Sequence, residues 1–156
     1  MATEKWIGGA GQGLTWGSAF GTEINSLTSA DSVLSSVVIA NGTALDIFAD
    51  LSLIAAATAT TVAPSYVGIY LYPLNEDGST YGDGVLTTTP AAYVPPSCYY
   101  VGSIGLRAAA STYISGMVRG IILPPGSFCF AMYNAAGVNF GSTMTCKYRT
   151  YNRSVA

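Results

Sequence analysis

A chain of 156 residues is about one domain, long enough to bury roughly two thirds of the surface its unfolded form exposes. Half of the residues are apolar and only 9% are charged, against about 25% in an ordinary globular domain, so much of the surface is expected to be covered by other copies or other proteins. With a net charge of −2, no histidine and no basic run, the usual catalytic triads and a nucleic-acid-binding role are excluded.

Residues 1–21 combine glycines at 8, 9, 11, 13, 17 and 21 with Trp6, Ile7, Leu14, Trp16 and Phe20, which all need burial. A segment this loose and this aromatic suits an extended, Gly-rich arm laid across a surface with its aromatics as anchors; the alternative is that it folds back onto its own domain. The glycines do not form a phosphate loop, because no Gly-Lys-Ser/Thr follows and no strand precedes them. Thr22 to Asp31 predicts a short helix capped by Thr22, with Ile24 and Leu27 on one face. This places an arm and short helix in residues 1–32 and a single β-domain in 33–156.

Strand patterns follow. Val33 to Ile39 is a β-rich run ended by Asn41-Gly42, a hairpin turn signal. From Leu45 to Leu53 the odd positions (Leu45, Ile47, Ala49, Leu51, Leu53) are apolar, while Asp46, Phe48, Asp50 and Ser52 lie on the other face. Tyr66 to Tyr72 is a strand stopped by Pro73. The stretch 73–96, with two Asp-Gly pairs, a threonine run and four prolines, reads as a long surface loop. Tyr99 to Leu106 is the next strand.

Thr112 to Asn134 then reads as a buried hairpin reversing at Pro124-Pro125-Gly126, with Phe128, Phe130 and Met132 on one side and Cys129, Ala131 and Tyr133 on the other. Met144 to Tyr151 alternates Lys147 and Arg149 against Cys146 and Tyr148 before a short basic tail. About eight strands at regular spacing predict an all-β fold, an antiparallel β-sandwich with a jelly roll as the leading topology.

Charge is unevenly placed. Eight acids against Lys5 leave −7 in residues 1–83, and five cations without an acid leave +5 in residues 84–156. Separated signs suit complementary contacts between neighbouring subunits. Cys98, Cys129 and Cys146 are odd in number and lack CxxC spacing, so neither a zinc site nor a disulfide framework is expected, and the thiols point to folding in a reducing cytosol. No signal-peptide pattern opens the chain and no apolar run approaches the length of a membrane span.

The carboxylates Asp46 and Asp50 on one strand face, and Glu76, Asp77 and Asp83 in the loop, read as solvated or interface charge and not as a glycosidase pair; no enzymatic activity and no cofactor are expected. The oxygen-rich loop 75–80 could hold calcium but lacks the full ligand pattern, so turn formation explains it better. The tyrosines, among them Tyr70, Tyr72, Tyr99, Tyr113, Tyr148 and Tyr151, could stack on sugars; core or interface packing is the favoured reading.

The segments MATEKWIGGAGQGLTWGSAFGTEINSL, VVIANGTALDIFADLSL, YLYPLNEDGSTYGDG, RGIILPPGSF and KYRTYNRSVA together resemble small virion structural proteins of tailed bacteriophages, over essentially the whole chain. The resemblance implies a capsid cement or decoration protein, made in the host bacterial cytoplasm and carried in the virion. Such a protein would bind the outer shell and bridge subunits of the major capsid protein, with itself as partner in a trimer or dimer. Receptor-binding, head-fibre, collar or tail β-modules are the alternative. The expected partner-binding residues are the arm anchors Trp6, Trp16 and Phe20, with Arg149 and Arg153 meeting acidic partners.

Overall fold

The computed structural model describes residues 4–9, 15–58, 61, 65–106 and 113–155. The period-2 runs become ten strands: β1 (Glu4–Gly8), β2 (Gly17–Ser18), β3 (Ser32–Leu34), β4 (Ile39–Ala40), β5 (Phe48–Ala56), β6 (Tyr66–Pro73), β7 (Tyr100–Gly105), β8 (Tyr113–Ile122), β9 (Ser127–Ala135) and β10 (Thr145–Val155). They form two five-stranded sheets. The first runs β1-β10-β5-β8, with β2 also on β10; the second runs β3-β9-β6-β7, with β4 also on β9.

Every pairing is antiparallel. The pairing is also nested: β1 with β10, β3 with β9, β5 with β8 and β6 with β7, as in a long double ribbon folded across itself. The inner faces meet in one core that includes Leu51, Leu53, Ile69, Phe128, Phe130 and Met132, all fully buried. The expected all-β antiparallel sandwich is the fold.

Residues of the 1–32 segment take part in this body. β1 lies along β10 from Glu4↔Val155 to Gly8↔Tyr151, so the stretch expected to be a basic tail is the end of a strand. Gly9 is required where β1 leaves the sheet, because a Cβ there would run into the Asp46 carboxylate and the Thr150 hydroxyl. Ala19, Phe20, Ile24 and Leu27 enter the main core.

The helix expected over Thr22–Asp31 does not form. Two successive turns replace it, closed by Asn25 N–H to Thr22 O and Asp31 N–H to Thr28 O, with Ser26 and Ala30 at positive φ. Serine and threonine, which bond their own backbone, give a segment this short too little helical drive.

Two expected hairpins are corners instead. Asn41-Gly42 carries the chain from β4 in the second sheet to β5 in the first, and Pro124-Pro125-Gly126 carries it back from β8 to β9. Proline cannot donate to a ladder, so the pair marks the exit from one sheet as readily as a hairpin tip. The buried Asn41 amide ties both corners: its Nδ2 donates to Asp46 O and Pro124 O, and its Oδ1 accepts from Asp46 N–H. Leu45 sits at φ 50 inside the turn, which releases Leu45 and Ile47 to solvent; the inward alternation begins only at Ala49. The run expected over Val33–Ile39 breaks after Leu34, where the Ser35 hydroxyl donates to Ala19 O and accepts from Val37 N–H.

Candidate functional site

The two sheets differ on their outer faces. Behind the second sheet, Cys129 and Ala131 of β9 and Tyr70 and Tyr72 of β6 form a second apolar cluster with Leu34 and Leu86. The 73–96 loop lies at the surface, as expected, but its Tyr81, Leu86 and Tyr93 turn inward and cover much of this face. Tyr72 is fully buried, stacks on Tyr99 at 4.2 Å, and donates its hydroxyl to Asp83 Oδ2 at 2.7 Å. Burial, then the bond to Asp83, pushes the Tyr72 phenol well above its ordinary range. Tyr81 donates to Cys129, whose thiol is pushed up to about 12 by burial despite that bond.

The loop also shields the sheet edge: Ser32 and Ala91 exchange backbone hydrogen bonds, and Leu34 N–H donates to Thr87 O. Its own oxygens are engaged. Asp77 accepts from the Thr80 hydroxyl and from the Ser79 and Thr80 amides, which hold its carboxyl down at about 2. Asp83 accepts from Tyr72, Tyr93, Val85 and Leu86. Among the described residues no group of three His, Cys, Asp or Glu could hold a metal ion.

The outer face of the first sheet carries no such cover among the described residues. Its register places Trp6 opposite Arg153, Tyr151 opposite Phe48, Arg149 opposite Asp50 and Lys147 opposite Ser52, all on the side away from the core. Trp6 is 62% exposed, its ring edge-on to Phe48 at 5.9 Å and to Tyr151 at 5.1 Å; Phe48 and Tyr151 stack on each other. Arg149 is held between Asp50, with Nη2 at 2.9 Å and Nε at 3.2 Å from Oδ2, and the Trp16 ring, 4.9 Å from the guanidinium carbon.

A β-bulge makes this arrangement possible. The register of β5 on β8 shifts between Ala49 and Leu51, and Gly120 at φ +67 aims its N–H at Asp50 Oδ1. Tyr151 donates to the same oxygen at 3.1 Å. Asp50 is thus buried with both oxygens occupied. An open pocket of about 360 Å³ lies above it, lined by Trp6, Asp50, Arg119, Arg149 and Tyr151, one or two residues from each of the four strands. A second depression of about 250 Å³ lies beside Trp16 and Lys147.

Of the residues expected to bind a partner, Trp6, Trp16, Arg149 and Arg153 share this face. Phe20 does not; it is 4% exposed and belongs to the core. In the sequence Arg119 is one of five cations after residue 84, yet it lies at the pocket. Its one distinguishing signal was a cation inside the apolar run Met117 to Leu123.

Fold and face together define an antiparallel β-sandwich with one outer face largely covered by the 73–96 loop, Tyr66 and Tyr100 remaining exposed, and one outer face that is aromatic, cationic and uncovered among the described residues. No known family model matches the chain, and no curated protein matches it in sequence.

Proposed function

We propose that the chain is a non-enzymatic structural subunit of a virion, a capsid cement or decoration protein that docks on its shell through the outer face of β1-β10-β5-β8. The observation that carries this reading is the contrast between the faces. One outer face is largely covered by the 73–96 loop, through Tyr81, Leu86 and Tyr93, while the other, among the described residues, presents Trp6, Trp16, Arg119, Lys147 and Arg153. Tryptophan and arginine are the side chains that carry most binding energy at protein interfaces. The nested strand pairing supports a jelly-roll topology, which would give docking a stiff body. The resemblance of the sequence to phage virion proteins supports the setting, and repeated equivalent sites on a shell let modest contacts accumulate.

The test is the molar ratio of this chain to the major capsid protein in purified particles. A cement protein gives a ratio near one or a simple fraction of it, as shell symmetry requires. A handful of copies per particle contradicts the shell reading and moves the subunit to a fibre, collar or tail.

A further inference from the structure

The pocket above Asp50 has a specific electrostatic gap. Two guanidiniums and one carboxylate line it, leaving a net charge of +1. Asp50 is already saturated: Oδ2 accepts twice from Arg149, and Oδ1 accepts from Tyr151 and Gly120. Arg149 is equally committed, between Asp50 and the Trp16 ring. Arg119 differs. Its Nε donates to the Met117 sulfur at 3.2 Å, a weak acceptor, and among the described residues its guanidinium has no anionic partner. It lies on β8 at one border of the pocket, with exposed Trp6 reaching in from β1 at the other, the two strand axes being three spacings, roughly 14 Å, apart.

Resting on the docking reading above, we infer that this pocket receives a carboxylate side chain, an aspartate or glutamate of the partner protein, with Arg119 as the pairing cation and Trp6 as the wall it packs against. The planar fork of arginine matches a carboxylate in two parallel hydrogen bonds. A monoanion neutralises the pocket. A phosphomonoester dianion would bring excess negative charge against buried Asp50, which disfavours a phosphorylated side chain. Lys147 and Arg153, at the margins of the same face, raise the encounter rate with an acidic surface without setting its register. Arg149, expected from sequence to meet the partner's acid, is instead a positioning residue: it holds Asp50 and Trp16 in place.

The probe is an end-blocked hexaglutamate peptide, with hexaglutamine as its neutral match, titrated into the full chain at low salt and followed by NMR of the arginine Nε–Hε and tryptophan indole signals. Hexaglutamate is expected to bind roughly tenfold more tightly than hexaglutamine, shifting Arg119 and Trp6 signals together, with the difference shrinking as salt is raised. Arg119→Gln, at an exposed site that does not threaten folding, removes that preference, and Arg119→Lys restores part of it. Equal response to the two peptides, or an unchanged preference in Arg119→Gln, overturns the assignment. Reattachment to particles stripped of this subunit separates the two levels. Docking lost in Trp6→Ala but intact in Arg119→Gln overturns the carboxylate site alone, and docking intact in both overturns the open-face reading as well.

Discussion

The two outer faces of this sandwich are built from the same alternating strands, yet they have opposite fates. On the second sheet, residues 73–96 lie back over the strands, bury Tyr72 and Cys129, and spend the Asp77 and Asp83 oxygens on the loop's own hydrogen bonds. On the first sheet, large aromatics and the cations Arg119, Lys147 and Arg153 stay at the surface, and the pair of buried Asp50 with half-buried Arg149 organises the face from below. A covered face costs a protein length and repays it in stability. An open one leaves apolar area available for a partner.

The contrast breaks most visibly on the covered side. Tyr72→Ala removes a fully buried ring, its stack on Tyr99 and the Asp83 bond, and is expected to cost about 3 kcal/mol by chemical denaturation. Particle docking by the fraction that remains folded should not change. Trp6→Ala is its mirror: stability falls by about 1 kcal/mol or less, from two edge-on ring contacts, while docking is lost. Equal stability losses in the two variants would erase the distinction.

A smaller effect is expected at Asp50. Asp50→Ala leaves Arg149, Tyr151 and Gly120 N–H without their common acceptor and should cost about 2 kcal/mol. It should also free Arg149 from its place over Trp16, so the arginine Nε–Hε signal broadens or moves. An Arg149 signal that stays unchanged would mean the stack with Trp16 holds the side chain by itself.

The smallest effect sharpens the comparison by lying on neither face. Burial works to raise the Glu23 pKa, but hydrogen bonds from the Ser36 amide and hydroxyl and the Gly21 amide outweigh it, leaving the carboxyl below its ordinary value of 4.5. A depressed folded pKa contributes stability that is present above the unfolded value and is lost as pH falls through the folded one. The wild-type chain should therefore lose about a few tenths of a kcal/mol below pH 4.5 that Glu23→Gln does not lose, the partly exposed site being screened. Parallel pH profiles would remove Glu23 from the account.

Much of this was legible residue by residue. Alternation marked the inward face of β9. The separation of charge along the sequence was visible, but not that Arg119, Lys147, Arg149 and Arg153 would all lie on β8 and β10 of one sheet. Proline-glycine turns were visible too, but not whether they join neighbours in one sheet or cross to the other, because both uses exploit the same missing donor and the same torsional freedom. The burial of Asp50 depends on Arg149, 99 residues away, and on a bulge opposite Gly120. No local pattern encodes that contact. The cover role of 73–96 was hidden for a similar reason: turn-forming residues describe how a loop bends, not what its Leu86, Tyr81 and Tyr93 lie against.

The most direct test is hydroxyl-radical footprinting of this subunit free in solution and bound on its particle. Docking through the open face predicts that oxidation of Trp6, Trp16 and Tyr151 falls sharply on the particle, while Tyr93 and Val94 of the covering loop react as before. Persistent oxidation of Trp6 and Trp16 together with protection of the loop would contradict the account and turn the molecule around.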